Sequence, residues 1–218
     1  MSLDYFKWNS YIPGCKFIAH VCFALRAQGG TFPKSTIDHV VSGLESNALC
    51  MYNIALSSAA VPTSSKYTYN DSKDLAVMAG VSALAALVMH PSDIQAVSDA
   101  GGMHALIMVS MRYDDHMQVC QRACFVLTVL APLDAEKGVF RRWEGLQKVT
   151  YAFYKHRASL QMQTNAIALL AAFVLPSARM QKIFLKVDGV HTLHLIMDQI
   201  ASLKDKDVAQ SIIKACSP

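Results

Sequence analysis

The chain has 218 residues, 53% of them apolar and 17% charged, enough apolar material for a sizeable core, which excludes a disordered chain. Glycine (10) and proline (7) are few, and Ala, Met and aliphatic residues dominate, a composition that favours helix over sheet. The formal charge of +4 is small but uneven, −1 over residues 1–109 and +5 over 110–218, so any electrostatic attraction of an acidic partner belongs to the second half.

The start, MSLDYFKWNSYIPG, lacks the continuous apolar core of a secretory signal. Two helices are expected before residue 61, over 14–28 and 35–60, separated by GGTFP and followed by the polar stretch VPTSSKYTYNDS. From Leu75 to Met89 runs LAVMAGVSALAALVM, the longest apolar run and about five residues short of the roughly 20 needed to span a bilayer. A buried helix is expected there, with no membrane insertion.

Prolines close the apolar runs at Pro91, Pro132, Pro176 and Pro218, at intervals of 41, 44 and 42. A near-constant period in the forties signals a helical solenoid. Within the runs the spacing is 43: Gly80, Ala123, Ala166 and Ala209; Leu84, Leu127, Leu170 and Ile213; Leu87, Leu130, Phe173 and Cys216. Offsets of 0, 4 and 7 place each trio on one helical stripe, a small residue followed by two larger ones. A second ladder, Gly102, Gly145 and Gly189, opens similar segments, with Leu106, Val149 and Leu193 four residues on. Each unit is therefore expected to be a short helix, a glycine corner, a helix, a polar turn (112–116, 155–159 and 202–207) and a long apolar helix. The glycines are expected where the turn needs an unhindered backbone. Glu144 and Asp188 are expected to cap the helices they precede.

The segments SDAGGMHALIM and RACFVLTVLAP carry a resemblance. Residues 73–218 resemble the armadillo repeat family, in its acidic–x–Gly–Gly corner and its Ala-rich third helix. The HEAT repeat, a relative, is the alternative, but it typically lacks the glycine corner and the third helix. The resemblance implies an all-α fold: an α-solenoid of about three repeats over 73–218, with residues 1–72 a divergent N-terminal helical cap. It also implies that third helices line a concave groove. There the family's Trp positions fall on Ser82, Phe125, Ala168 and Ser211, and its Asn positions on Ala86, Val129, Ala172 and Ala215. Nuclear-import adaptors of the family clamp extended basic peptides with Trp and Asn. With Asn at none of these rungs, that activity is not expected here. The groove is expected to be small and apolar, formed by Phe125, Val129, Ala168 and Ala172 with Gln121, Thr164 and Asp207 at its rim. Such a groove suits an amphipathic helix or peptide.

A basic segment, Lys137 to Arg157, holds Arg141, Arg142, Lys148, Lys155 and Arg157 against one acid, Glu144, with Trp143, Tyr151 and Tyr154 interleaved. This describes a solvated helix face, a surface for an acidic protein, or a nucleic-acid surface. Asp188, His191 and His194 share a helix face, but the triplet is a repeat corner with one extra His, not a metal site. His116, Cys120 and Cys124, at i, i+4 and i+8, are expected to pack between helices rather than react. Six scattered cysteines fit free buried thiols in a reducing compartment, the cytoplasm or the nucleus. No base, nucleophile and orienting group occur together. The expected function is noncatalytic: a scaffold or adaptor without a cofactor, or alternatively a structural module of a larger assembly with its groove permanently filled. Because the chain stops directly after a long apolar helix, a longer protein or a covering partner is also expected.

Overall fold

The computed structural model describes residues 33–57, 71–142 and 144–217. The predicted helix 14–28, Trp143 and the side chain of Lys137 lie outside them. The described residues contain eleven α-helices and divide into two compact units, 1–112 and 113–218.

In the first unit, α1 (Lys34–Ser57) packs on α2 (Asp71–Leu87), α3 (Pro91–Asp99) and α4 (Gly102–Arg112). The helix expected over 35–60 is thus present. Its Ile37, Val40, Val41 and Leu44 are buried at the 3–4 residue spacing that marks one apolar face. His104 Nδ1 of α4 lies 3.0 Å from Glu45 Oε1 of α1.

The second unit contains α5 (Met117–Lys137), α6 (Val139–Arg142), α7 (Gly145–Lys155), α8 (Leu160–Val174), α9 (Ala178–Lys186), α10 (Gly189–Ile196) and α11 (Leu203–Cys216). A 3-10 turn, Met197–Gln199, follows α10. Helix α8 packs on both α5 and α11. Along the chain the order short helix, glycine corner, helix, turn, long helix occurs three times, starting at α3, α6 and α9.

The 43-residue stripe is the core. Gly80, Leu84 and Leu87 are buried on α2, Ala123, Leu127 and Leu130 on α5, Ala166, Leu170 and Phe173 on α8, and Ala209, Ile213 and Cys216 on α11. The larger two of each trio remove apolar surface from water, worth about 1.5–3 kcal/mol for each fully buried large side chain.

Three local expectations are corrected, and one proline sits inside a helix. Pro132 does not end its helix: α5 continues through it to Lys137 and stops at Gly138, whose φ of 59° only glycine adopts without strain. At the corners the left-handed residues are Gly101 (φ 90°), Glu144 (φ 56°) and Asp188 (φ 54°), not the ladder glycines. The ladder glycines are required by space instead. A Cβ on Gly145 would fall 2.5 Å from the Phe140 ring, and one on Gly189 would fall 2.1 Å from the Phe184 ring. Each ring is fully buried against its corner. Glu144 and Asp188 stand at the N-cap positions but make no side-chain capping bond. Finally, the turn expected over 202–207 is mostly helix. Ser202 caps α11, its Oγ accepting from the Asp205 N–H at 3.3 Å.

Candidate functional site

The long helices α5, α8 and α11 offer two contrasting ends. At their N-terminal ends, polar side chains tie one helix to the next. Gln121 Nε2 of α5 donates to Ser159 Oγ at 2.5 Å. Asn165 Nδ2 of α8 donates to the Gln121 carbonyl at 2.9 Å, and Thr164 Oγ1 donates to Asp205 Oδ2 of α11 at 2.7 Å. Gln163 is buried. Its amide donates to the carbonyls of Arg157 (2.7 Å) and Gln199 (2.8 Å) and accepts from the Ala201 N–H (3.2 Å). One side chain therefore fixes the loops that precede α8 and α11. Gln121 and Thr164, expected at a groove rim, are both engaged in this network.

The apolar rungs lie further along the same helices. Phe125 and Val129 on α5 and Ala172 on α8 are half-buried, and Ala168 on α8 is exposed. Each pair is spaced i, i+4, so it lies on one face of its helix, and the two helices are neighbours. Phe125 is not a core residue, unlike Ala123 and Leu127 beside it.

At the C-terminal ends a cleft of about 660 Å³ opens. Helix α5 contributes Thr128, Ala131 and Pro132, and the end of α8 contributes Ala172 and Phe173. Arg141 of α6, with Ser177, Arg179 and Met180 around the start of α9, completes the wall. Proline has no N–H, so the Thr128 carbonyl loses its helical donor where both residues line the cleft. Phe173 stacks on Phe140, ring centroids 3.9 Å apart and planes 7° from parallel, so the aromatic face is spent inside the protein. The carboxylate on the wall, Asp134, is buried and accepts from the Val139 and Phe140 N–H groups at 2.7 and 3.1 Å, which fixes the start of α6. The Arg141 guanidinium lies over Gly138, where a Cβ would stand 3.4 Å from Nη2.

The residues of the expected basic patch make separate local contacts. Lys148 pairs with Glu144 at 3.9 Å. Lys155 donates to Asp115 at 2.6 Å and Asp114 at 3.2 Å, and lies over the Tyr151 ring. Partial desolvation lowers the Lys155 ammonium pKa, but the hydrogen bonds to Asp115 and Asp114 outweigh it and hold the pKa above its ordinary value. Arg157 donates to the Tyr154 carbonyl and sits over its ring. Arg142 is exposed. Arg141 alone of the five reaches the cleft, where Ala172 also stands. Sequence reasoning missed Arg179, which lies in no basic run; its neighbours Ala178 and Met180 carry no charge.

The three thiols among the described residues are buried and held in the protonated form. Burial, then the Asp114 carboxylate, pushes the Cys120 pKa up to about 12, and burial raises those of Cys124 and Cys216. Cys120 Sγ instead donates to the Tyr113 carbonyl at 3.4 Å, and His156 Nε2 donates to the Asp114 carbonyl at 2.6 Å. Asp188, His191 and His194 are all exposed. Among the described residues no three His, Cys, Asp or Glu side chains are grouped to hold a metal, and no helix is long and apolar enough to cross a membrane. Compared with known protein families, curated proteins and solved structures, the chain matches none.

Proposed function

We propose that this chain is a noncatalytic binding protein, an armadillo-type α-solenoid that acts as a scaffold or adaptor. Its long helices would present a preformed apolar groove to a helix or peptide of a protein partner. Rigid stacking spares the receptor much of the ordering entropy of binding. The observation that carries this reading is the pair of rungs on α5 and α8. Phe125, Val129, Ala168 and Ala172 stay accessible on adjacent helices whose other faces are buried. The buried free thiols fit an intracellular, reducing setting.

The test is capture of partners from native lysate with wild type and Phe125→Glu. The variant is expected to lose a specific partner while its thermal unfolding stays near wild type, because Phe125 is only half-buried. A variant that melts far below wild type, or that captures the same set of proteins, removes the support for the groove.

One observation favours a second reading, a structural module inside a larger assembly. Met117, Leu160 and Leu203, the first residues of α5, α8 and α11, recur at 43-residue spacing and are 41%, 63% and 78% exposed. An uncovered apolar row of this kind suits a permanent neighbour. Light scattering separates the two readings: a monodisperse monomer supports the adaptor, and an obligate oligomer supports the module.

A further inference from the structure

We infer that the cleft at the C-terminal ends of α5 and α8 is a second binding site, adjoining the apolar rungs at Ala172, for an acidic peptide segment of a partner protein. In that segment, carboxylates flank an aliphatic side chain. Three observations meet there. The first is charge without internal use. Among the described residues Arg141 and Arg179 make no ion pair and no side-chain hydrogen bond. The wall's carboxylate, Asp134, is already occupied by two backbone N–H groups. With two guanidinium groups against the one carboxylate of Asp134, the described lining of the cleft keeps a net positive charge. Guanidinium groups match carboxylates with paired, charge-assisted hydrogen bonds.

The second observation is the position of Arg179. It is the second residue of the nine-residue helix α9, and no acidic residue stands in the first turn of that helix. A helix N-terminus disfavours a cation and favours an anion, so Arg179 is placed against its own helix. A bound carboxylate would relieve this, pairing with the guanidinium and with the helix end together.

The third is the size and lining of the cleft. About 660 Å³ is more than one side chain needs and within the range of sites that hold ligands of several groups. Ala131, Pro132, Ala172 and Met180 give it an aliphatic surface. That surface suits a Leu or Val between two acids. It does not suit a nucleobase, which needs an open aromatic face, and the Phe173 face is stacked on Phe140. A protein segment is thus favoured over single-stranded RNA, and the aliphatic half of the wall over a bare phosphate.

Met180 supplies the reporter. Methionine-methyl NMR of the full chain, with its resonance assigned by Met180→Leu, would be followed during titration with a short peptide carrying Glu-Leu-Glu in a Gly-Ser frame. The Gln-Leu-Gln peptide, inorganic phosphate and an oligouridine serve as the other arms. The expected result is a saturable Met180 shift with the Glu peptide that the Gln peptide does not produce. Arg141→Gln and Arg179→Gln should each weaken it by about tenfold. Phe125→Glu should leave it intact, so failure of the groove and failure of the cleft are separately visible. A Met180 signal that does not move, or that responds equally to both peptides, overturns the proposal. So does tighter binding of phosphate or oligouridine than of the Glu peptide, or loss of the response in a folded Phe125→Glu variant.

Discussion

The two ends of the long helices use polar residues in opposite ways. At the N-terminal ends of α5, α8 and α11, Gln121, Gln163, Thr164 and Asn165 spend their donors on a neighbouring long helix or on the residues just before α8 or α11. At the C-terminal ends, Arg141 and Arg179 make no such bonds among the described residues. The second unit thus ties its long helices together at one end and leaves two guanidinium groups open at the other, where Asp134 alone is engaged by backbone N–H groups. A polar residue at a groove rim is weak evidence of a contact when its hydrogen bonds are already satisfied internally. An unneutralised one is stronger evidence, because holding it there serves no internal purpose.

The largest effect that would break this comparison comes from Gln163→Leu. It removes three hydrogen bonds made by a buried side chain and leaves the Arg157 and Gln199 carbonyls and the Ala201 N–H without that partner, so stability should fall by about 3 kcal/mol in urea unfolding. A loss as small as that expected for Arg141→Gln, about 0.5 kcal/mol or less, would mean that the N-terminal network does not join the helices. Thr164→Val is smaller. It cuts one bond to the Asp205 carboxylate, and an unfolding midpoint equivalent to about 1.5 kcal/mol lower is expected. The smallest effect has the opposite sign. Arg179→Glu puts a favoured charge at the start of α9 and should stabilise the protein by about 0.5 kcal/mol at low salt, fading as salt is added. A destabilised Arg179→Glu variant would show that the arginine is used within the fold after all.

The helical order and the buried stripe were legible because they repeat. Ala123, Leu127 and Leu130 recur as Ala166, Leu170 and Phe173, and a period of this length survives substitution at single positions. The glycine corners were found for the same reason but explained wrongly. Sequence spacing shows that a residue must be small without showing whether backbone angle or a neighbouring ring demands it. At Gly145 and Gly189 it is the ring of Phe140 or Phe184. Pro132 closes an apolar run but not its helix, since α5 carries it in its interior and ends six residues later at Gly138. The cleft was illegible. Arg141 and Arg179 are far apart in sequence and come from two short helices whose placement depends on the corners. In the sequence Arg141 belongs to a basic run, of which Lys148, Lys155 and Arg157 make local contacts of their own.

The close approach of Phe140 to Gly145, and of Phe184 to Gly189, spans only five residues. The bend between the two short helices is therefore set by a contact that needs no distant partner, and contacts local in sequence form early and fast. A ribosome adds about 5–20 residues per second, so each bend can be made seconds before the long helix that follows it has been synthesised. The nascent chain would then assemble as a succession of finished elbows. A valine at either glycine would delay or misdirect that sequence at one joint, with consequences for yield in the cell beyond the stability lost in the purified protein.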